Sequence, residues 1–376
     1  MRVNVLVIKK LIKIMNKKIV ISLIVILVVI GAFFALKTSQ TNTDTQPVKI
    51  GIVLPLTGNA GFLGEAAQKA AQMALEDAGN TKYSYELIFE DDGFDPKKTV
   101  TSVNKLISLD KVSALITFGS GTSNAAAPLT ENSKIPRFGL ASDPTSAKGN
   151  YNYVHWTPPF KEGELIVKTL IEKGYKNVAI IDVNHPGPLA VSDAVVDSLK
   201  KENVNMVARE MTNVGDKDFR TLINNLKSKN PDIIVITIFS PEIEIFTKQM
   251  RELGLNVPVT AAETFEWSDQ PELFEGLWFV SDSRVDDAFL EAFEAKNGVT
   301  PKPGSAYIYD LVTLLVETQE KADHTLTPEE LNDVISKTDS YNSPLFGTVS
   351  INEDGIFVTG ASVKIMKDGK PVLVTE

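Results

Sequence analysis

The chain has no cysteine among its 376 residues. That removes disulfides, thiolate metal sites and a cysteine nucleophile together. Its three histidines, His155, His185 and His324, stand far apart and form no His-x-x-x-His pair, so a zinc site is not expected. No Gly-x-Ser-x-Gly elbow, Walker loop or Gly-x-Gly-x-x-Gly turn follows a strand-like run, which leaves catalysis and nucleotide binding without a signature. Residues 1–37 contain no acid and carry 7 of the 38 basic residues. The remainder holds 31 Lys and Arg against 48 Asp and Glu, a balance of −17. Such a charge argues against nucleic acid and against adsorption to an anionic membrane surface. No cofactor is expected.

One long hydrophobic run stands out. Eighteen apolar or small residues, Ile19 to Leu36, follow a basic stretch that includes Lys13, Lys17 and Lys18. As a helix the run is ~27 Å long, close to a hydrocarbon core, and the basic flank stays on the cytoplasmic side. Residues 1–37 therefore read as a signal peptide or membrane anchor. The absence of a good small-x-small site near Ala35 favours an anchor, with Met15 as a second plausible start. Residues 38–47 read as a polar linker, and everything after them as extracytoplasmic.

Beyond the linker, strands and helices alternate. Val48–Leu54, Tyr85–Asp91, Val112–Phe118 and Ile135–Ala141 read as strands, with helical spacing between them. Asp95-Pro96 caps a helix, with Pro at its first turn. A second series follows, with strands at Asn177–Val183, Val204–Glu210, Asp232–Phe239 and Val257–Ala262. Strands separated by single helices make right-handed parallel units. The fold class is therefore α/β, with two doubly wound parallel-sheet lobes. The expected division is 48–160 with 284–345 for the first lobe, and 161–283 with 346–376 for the second. Thr327-Pro328-Glu329-Glu330 reads as a capping box, and Ile356–Ile365 as one late strand.

Ligands of open parallel sheets bind beyond the carboxyl ends of the strands. Those tips carry Gly119-Ser120-Gly121-Thr122, Ser142-Asp143, Phe239-Ser240 and Glu263-Thr264. A hydroxyl-rich helix start suits a carboxylate, an acid suits an ammonium, and a ring suits either a cation or an apolar side chain. Together the four tips fit a small zwitterion. Each also has a plainer reading: Gly119–Thr122 as a turn, Asp143 as a helix cap before Pro144, Phe239 as core, and Glu263 as a solvated loop acid. His185, at another tip, reads more simply as a loop residue.

From Lys49 to Val374 the chain resembles the type I periplasmic binding proteins of the branched-chain amino acid (Leu/Ile/Val) class. The stretches that carry the resemblance are Val48–Gly58, Gly119-Ser120 through Ala127-Pro128, Ile135-Pro136 through Ala141-Ser142, Pro241-Glu242 through Gly254-Leu255, and Ala306-Tyr307-x-Tyr309-Asp310. The resemblance implies two lobes joined by three crossovers and closing on an amino acid. It places Ser120 at the carboxylate-binding hydroxyl, Ala141 at a backbone contact and Glu263 at the ammonium-binding acid. Phe239 falls where a Tyr packs on the ligand, and Leu63 where an aromatic covers it. Asp143 stands where a Thr is usual, and His185-Pro186-Gly187 replaces a Tyr-Gly. These departures open the ligand to cationic amino acids, amides and polyamines as well as leucine-like ones. The expected function is a non-enzymatic solute-binding protein that serves an ABC permease and ATPase on other chains. It is tethered to the membrane by residues 19–36. A membrane-anchored ligand-sensing module is the alternative, and an enzyme on the same scaffold the third reading.

Overall fold

The structure, a computed structural model, describes residues 46–283 and 285–374. The expected anchor at 19–36 lies outside the described residues. Among those described, no helix is long and apolar enough to cross a membrane.

The first lobe begins with β1 (Val48–Leu54), α1 (Gly61–Asp77), β2 (Tyr85–Asp91), α2 (Pro96–Lys105), β3 (Ala114–Phe118), α3 (Ser120–Ser133), β4 (Arg137–Leu140) and β5 (Asn152–Trp156). The strands lie in the order β2-β1-β3-β4-β5, all parallel. Alternation along β1 serves both helix layers. Ile50, Ile52 and Leu54 enter one core, while Val53 meets Val103, Leu106 and Leu115 on the other face. Gly51 is small for a reason: a Cβ there would lie 2.9 Å from Leu115 Cδ2.

The second lobe repeats the winding with α4 (Pro159–Glu172), β6 (Asn177–Val183), α5 (Pro186–Lys201), β7 (Asn205–Thr212), α6 (Arg220–Ser228), β8 (Ile233–Thr237), α7 (Glu242–Glu252) and β9 (Val259–Ala261). Its order is β7-β6-β8-β9, again parallel. Ala179, Ile181, Ile234 and Ile236 face α6 and α7, while Val178, Ile180, Ile233 and Val235 face α4 and α5. A strand buried on both faces has no polar side to alternate with, so these runs are continuously apolar. β10 (Trp278–Asp282) sits beside β9 through a bridge at Ala262 and Val280.

The chain then returns to the first lobe through α8 (Asp287–Asn297), α9 (Ser305–Glu320) and α10 (Pro328–Ser336). The capping box at Thr327 and Glu330 forms as expected. β11 (Ser340–Ser343), β12 (Gly347–Ile351) and β13 (Ile356–Val358) extend the first sheet beyond β5. The last two strands, β14 (Ala361–Lys367) and β15 (Lys370–Leu373), pair antiparallel with β10 and with each other. The chain therefore passes between the lobes three times, near residues 157, 283 and 360.

Three expectations need correction. Residues 346–358 belong to the first lobe's sheet, not the second's. The run 356–365 is two strands in two sheets, because Phe357 is buried against His155 and Phe138 in the first core and the chain breaks away at Thr359-Gly360. β5 was not legible, since Asn152 and His155 interrupt its apolar pattern. Both are buried with partners: Asn152 Oδ1 accepts from Thr130 Oγ1 at 2.8 Å and Arg137 Nε at 2.9 Å, and His155 Nε2 lies 2.7 Å from Asp310 Oδ2. A buried polar group that keeps its hydrogen bonds is tolerated in a core strand.

The first crossover is anchored by α9. The Trp156 ring stacks on Tyr307 at 4.7 Å, and the Tyr307 hydroxyl meets Thr157 Oγ1 at 2.7 Å. Tyr309 donates to Asp77 at 2.9 Å. The Ala306–Asp310 stretch is thus a structural brace at the base of the hinge.

Candidate functional site

Both lobes place their topological switch point on the same cleft. In the first it lies between β1 and β3, and in the second between β6 and β8. The residues just past these strands approach one another. A Cβ on Gly187 would lie 2.8 Å from Ser120 Oγ, and one on Gly121 would lie 3.3 Å from His185 Nε2. The lobes are in contact, and a cavity of about 30 Å³ remains between them, lined among others by Ser142, Pro188, Phe239, Glu263, Thr264 and Trp267. That is room for a water or two, so a larger molecule enters only if the lobes part.

Gly119-Ser120-Gly121-Thr122 is not a free loop. Helix α3 starts at Ser120, with Gly119 at φ +91° making the turn out of β3. Thr122 Oγ1 bonds back to Gly119 O at 2.8 Å, so the hydroxyl pattern read as loop chemistry belongs to a helix start. Ser120 Oγ accepts from Asp143 N at 3.1 Å; its own hydroxyl proton is free to donate. Asp143 does not face the cavity as a ligand contact. Its carboxylate accepts from Thr145 N at 2.9 Å, Thr145 Oγ1 at 2.7 Å and Asn124 Nδ2 at 2.7 Å, capping the 3₁₀ turn Pro144–Ala147. The acid before Pro144 is a cap because its side chain reaches the orphan N–H two residues on. Leu63 is likewise displaced from its expected place. It is buried in the first lobe's core through α1, and Phe62 beside it is the exposed residue. Ala141 is buried at the end of β4, directly before Ser142 of the cavity wall.

Phe239 and Glu263 do line the cavity together. Phe239 lies parallel to Trp267 at 6.0 Å, so two rings line the cavity, and it meets His185 edge-on at 5.2 Å. Glu263 holds φ +57°, ψ −37°, a left-handed conformation that costs a non-glycine residue about 1–3 kcal/mol. Its N–H bonds to Val280 O at 2.8 Å and its Oε1 accepts from Trp156 Nε1 at 2.8 Å. Burial, with Asp282 nearby, pushes the Glu263 carboxyl up to about 8, against the pull of the Trp156 hydrogen bond. Lys364 is already committed, at 3.0 Å to Glu266 and 2.6 Å to Asp282. Around the cavity, Thr264 Oγ1, Trp267 Nε1 and His185 Nδ1 are buried without hydrogen-bond partners. Burial lowers the His185 pKa, with Asp143 opposing, so the ring is neutral near pH 7.

A buried acid without a protein cation, unpaired donors and a ring wall across a two-lobe cleft are features of a site for a small polar molecule. The family described as periplasmic binding protein matches residues 47–370. The chain belongs to this family. A Leu/Ile/Val-binding protein, BraC3 of Rhizobium johnstonii, is 25% identical over 296 residues, covering 73% of this chain and 79% of the relative. The crystal structure of the leucine-binding protein LivK of Thermotoga maritima superposes with a TM-score of 0.79 at 25% identity, over 87% of this chain and 98% of that one. The branched-chain amino acid transporter substrate-binding protein LivJ of Streptococcus pneumoniae, in complex with isoleucine, gives 0.77 at 24% identity, over 88% and 100%. As a periplasmic binding protein the chain is an extracytoplasmic solute-binding protein. The family is one of binding proteins rather than enzymes.

Four contributors escaped the sequence reading: Trp156, Thr264 as a wall residue, Trp267 and Thr237. The chain has 3 Trp, and two of them meet Glu263 or its cavity. A rare, large side chain next to a strand tip was the available signal.

Proposed function

We propose that this periplasmic binding protein captures an amino acid or a related amine or amide by closing its two lobes on it. Glu263 receives the ammonium, and the faces of Phe239 and Trp267 cover the cation or the side chain beside it. The hydroxyls of Ser120 and Ser142, with the N-terminus of α3, receive the carboxylate or amide end, and the backbone at Ala141 lies alongside. The observation that carries this reading is Glu263: buried, strained, on the cavity wall and, among the described residues, in no ion pair. The relatives named for Leu, Ile and Val support an amino-acid ligand. The His185 ring, edge-on to Phe239 with Nδ1 unpartnered, favours one with a polar side chain or a second nitrogen. Capture involves no bond making or breaking and no cofactor. Residues 19–36 tether the chain to the membrane, so the ligand is handed over close to the permease.

The test is a thermal-shift screen of the purified chain against amino acids, amides and polyamines. A ligand at ~100 times its dissociation constant adds ~2.7 kcal/mol to stability, a plainly visible shift. An absence of any shift across the three classes would end the proposal.

A further inference from the structure

We infer that Glu162 works as a neutral carboxylic acid that donates a hydrogen bond to Glu263, and so positions the Glu263 carboxylate for a cationic group. The inference rests on the reading above, in which Glu263 is the group that meets the ammonium.

Glu162 sits in the first turn of α4, just past the first crossover, and is fully buried. Neither of its oxygens meets a donor. What faces it is the Glu263 carboxyl. Two carboxylates offer only acceptors, so a hydrogen bond between them exists only when one carries a proton. The surroundings supply no alternative. Asp282 comes from β10, Glu266 from the turn after Glu263, the Tyr307 hydroxyl from α9 and Lys364 from β14. Helix α5, packed alongside, presents the Ala194 and Val195 backbone at Gly163. Lys364 is bound by Glu266 and Asp282. Among the described residues, Glu162 and Glu263 are therefore two buried acids with no cation in ion-pair contact, and leaving both ionised is the costliest arrangement open to them. The first turn of a helix favours negative charge, but that effect is small beside burial of an unpaired ion.

Geometry also says which acid holds the proton. Glu263 Oε1 accepts from the Trp156 indole N–H at 2.8 Å, which favours its ionised form. Glu162 has no such donor. Once a ligand ammonium draws off the Glu263 proton, a proton on Glu162 and the indole N–H hold the Glu263 carboxylate between them, with its remaining lone pairs toward the cavity. Burial raises both acids, Glu162 well above its ordinary range and Glu263 to about 8, and of the two only Glu263 has a hydrogen bond that opposes the rise. Glu162 is a positioning residue; it does not line the cavity.

Two measurements test this. Titration calorimetry with L-isoleucine, L-glutamine, L-lysine and putrescine compares wild type with Glu162→Gln and Glu162→Leu. Gln is neutral, of the same size and able to donate, so its affinity for the tightest of the four stays within about threefold of wild type. Leu cannot donate, and affinity falls by at least about tenfold. A tenfold loss in Glu162→Gln, or wild-type affinity in Glu162→Leu, overturns the inference. The second measurement needs no ligand. At about pH 6 the infrared spectrum of wild type shows one more protonated-carboxyl C=O stretch than that of Glu162→Gln. Identical spectra overturn the inference even if none of the four probes binds, an outcome that would instead count against the proposed function. Failure of Glu162→Leu to fold leaves both Glu162→Gln comparisons decisive.

Discussion

On the first lobe's rim the polar side chains satisfy one another. Ser120 holds the Asp143 backbone, Asn124 and Thr145 hold the Asp143 carboxylate, and Ser146 donates to Asn124. On the second lobe's rim the pairing is incomplete. Among the described residues, Thr264 Oγ1, Trp267 Nε1 and His185 Nδ1 have no hydrogen-bond partner, and Glu263 faces the cavity without an ion pair. Beneath that rim the contrast repeats, since Glu266 and Asp282 share Lys364 while Glu162 and Glu263 have none. A satisfied rim is a preformed shelf, whereas an unsatisfied one is completed by what it binds. The difference teaches that discrimination between ligands belongs to the second lobe, and that the first lobe supplies a fixed surface for the ligand's other end.

Four substitutions break or sharpen that contrast. Removing the cation from the satisfied part of the second lobe has the largest effect. Lys364→Met strands Glu266 and Asp282 and lowers stability by about 3–5 kcal/mol in urea unfolding. A loss below about 1 kcal/mol would show that this triad is not the buried unit described.

Glu263→Ala comes next, with affinity for ammonium ligands falling at least about 100-fold by calorimetry. Undiminished binding of an amine would move the cation to another site. The same residue sets a pH dependence. Its folded-state value, raised from 4.5 to about 8, means that its contribution to stability is fully present below about 4.5 and is lost as pH rises through about 8. The melting temperature of wild type relative to Glu263→Gln therefore falls between about pH 5 and 8, and a flat difference would contradict burial of this acid.

Gly187→Val sharpens the contrast from the side of closure. Its side chain would push into Ser120, where a single Cβ already reaches 2.8 Å from Oγ. Affinity drops about tenfold while the unliganded melting temperature holds, because the clash exists only when the lobes meet. Equal affinity would mean that ligand capture does not need this approach.

Asp143→Asn has the smallest effect. Asn keeps an acceptor for the Thr145 N–H and remains a competent cap, so affinity moves by less than about threefold. A tenfold gain for carboxylate ligands would show that Asp143 repels them across the cleft.

Much of the architecture was legible. Continuous apolar runs separated by helical periods marked β1, β3, β6 and β8, because strands covered on both faces leave that pattern. Caps at Asp95 and Thr327 were local chemistry and formed where expected. The misses share a cause. β5 hid behind Asn152 and His155, whose partners Thr130, Arg137 and Asp310 are distant in sequence or on other elements. The single run 356–365 concealed a passage between lobes, since hydropathy does not say which sheet a strand joins. Phe239 and Glu263, expected from strand-tip position alone, line one cavity. Of the two readings of Asp143 the cap is the one that forms, and Leu63 turns into the core, since rotation about a helix or loop is not written in spacing.

The order of residues by itself determined a cysteine-free, acidic, doubly repeated α/β chain whose polar tips fall past the strand ends, since periodicity and turn chemistry are local. Only the tertiary structure decided which acids lack a cation. Glu162, Glu263, Glu266, Asp282 and Lys364 come from four separate stretches of chain, and in a low-dielectric interior the charge state of each depends on how the others are shared out among them.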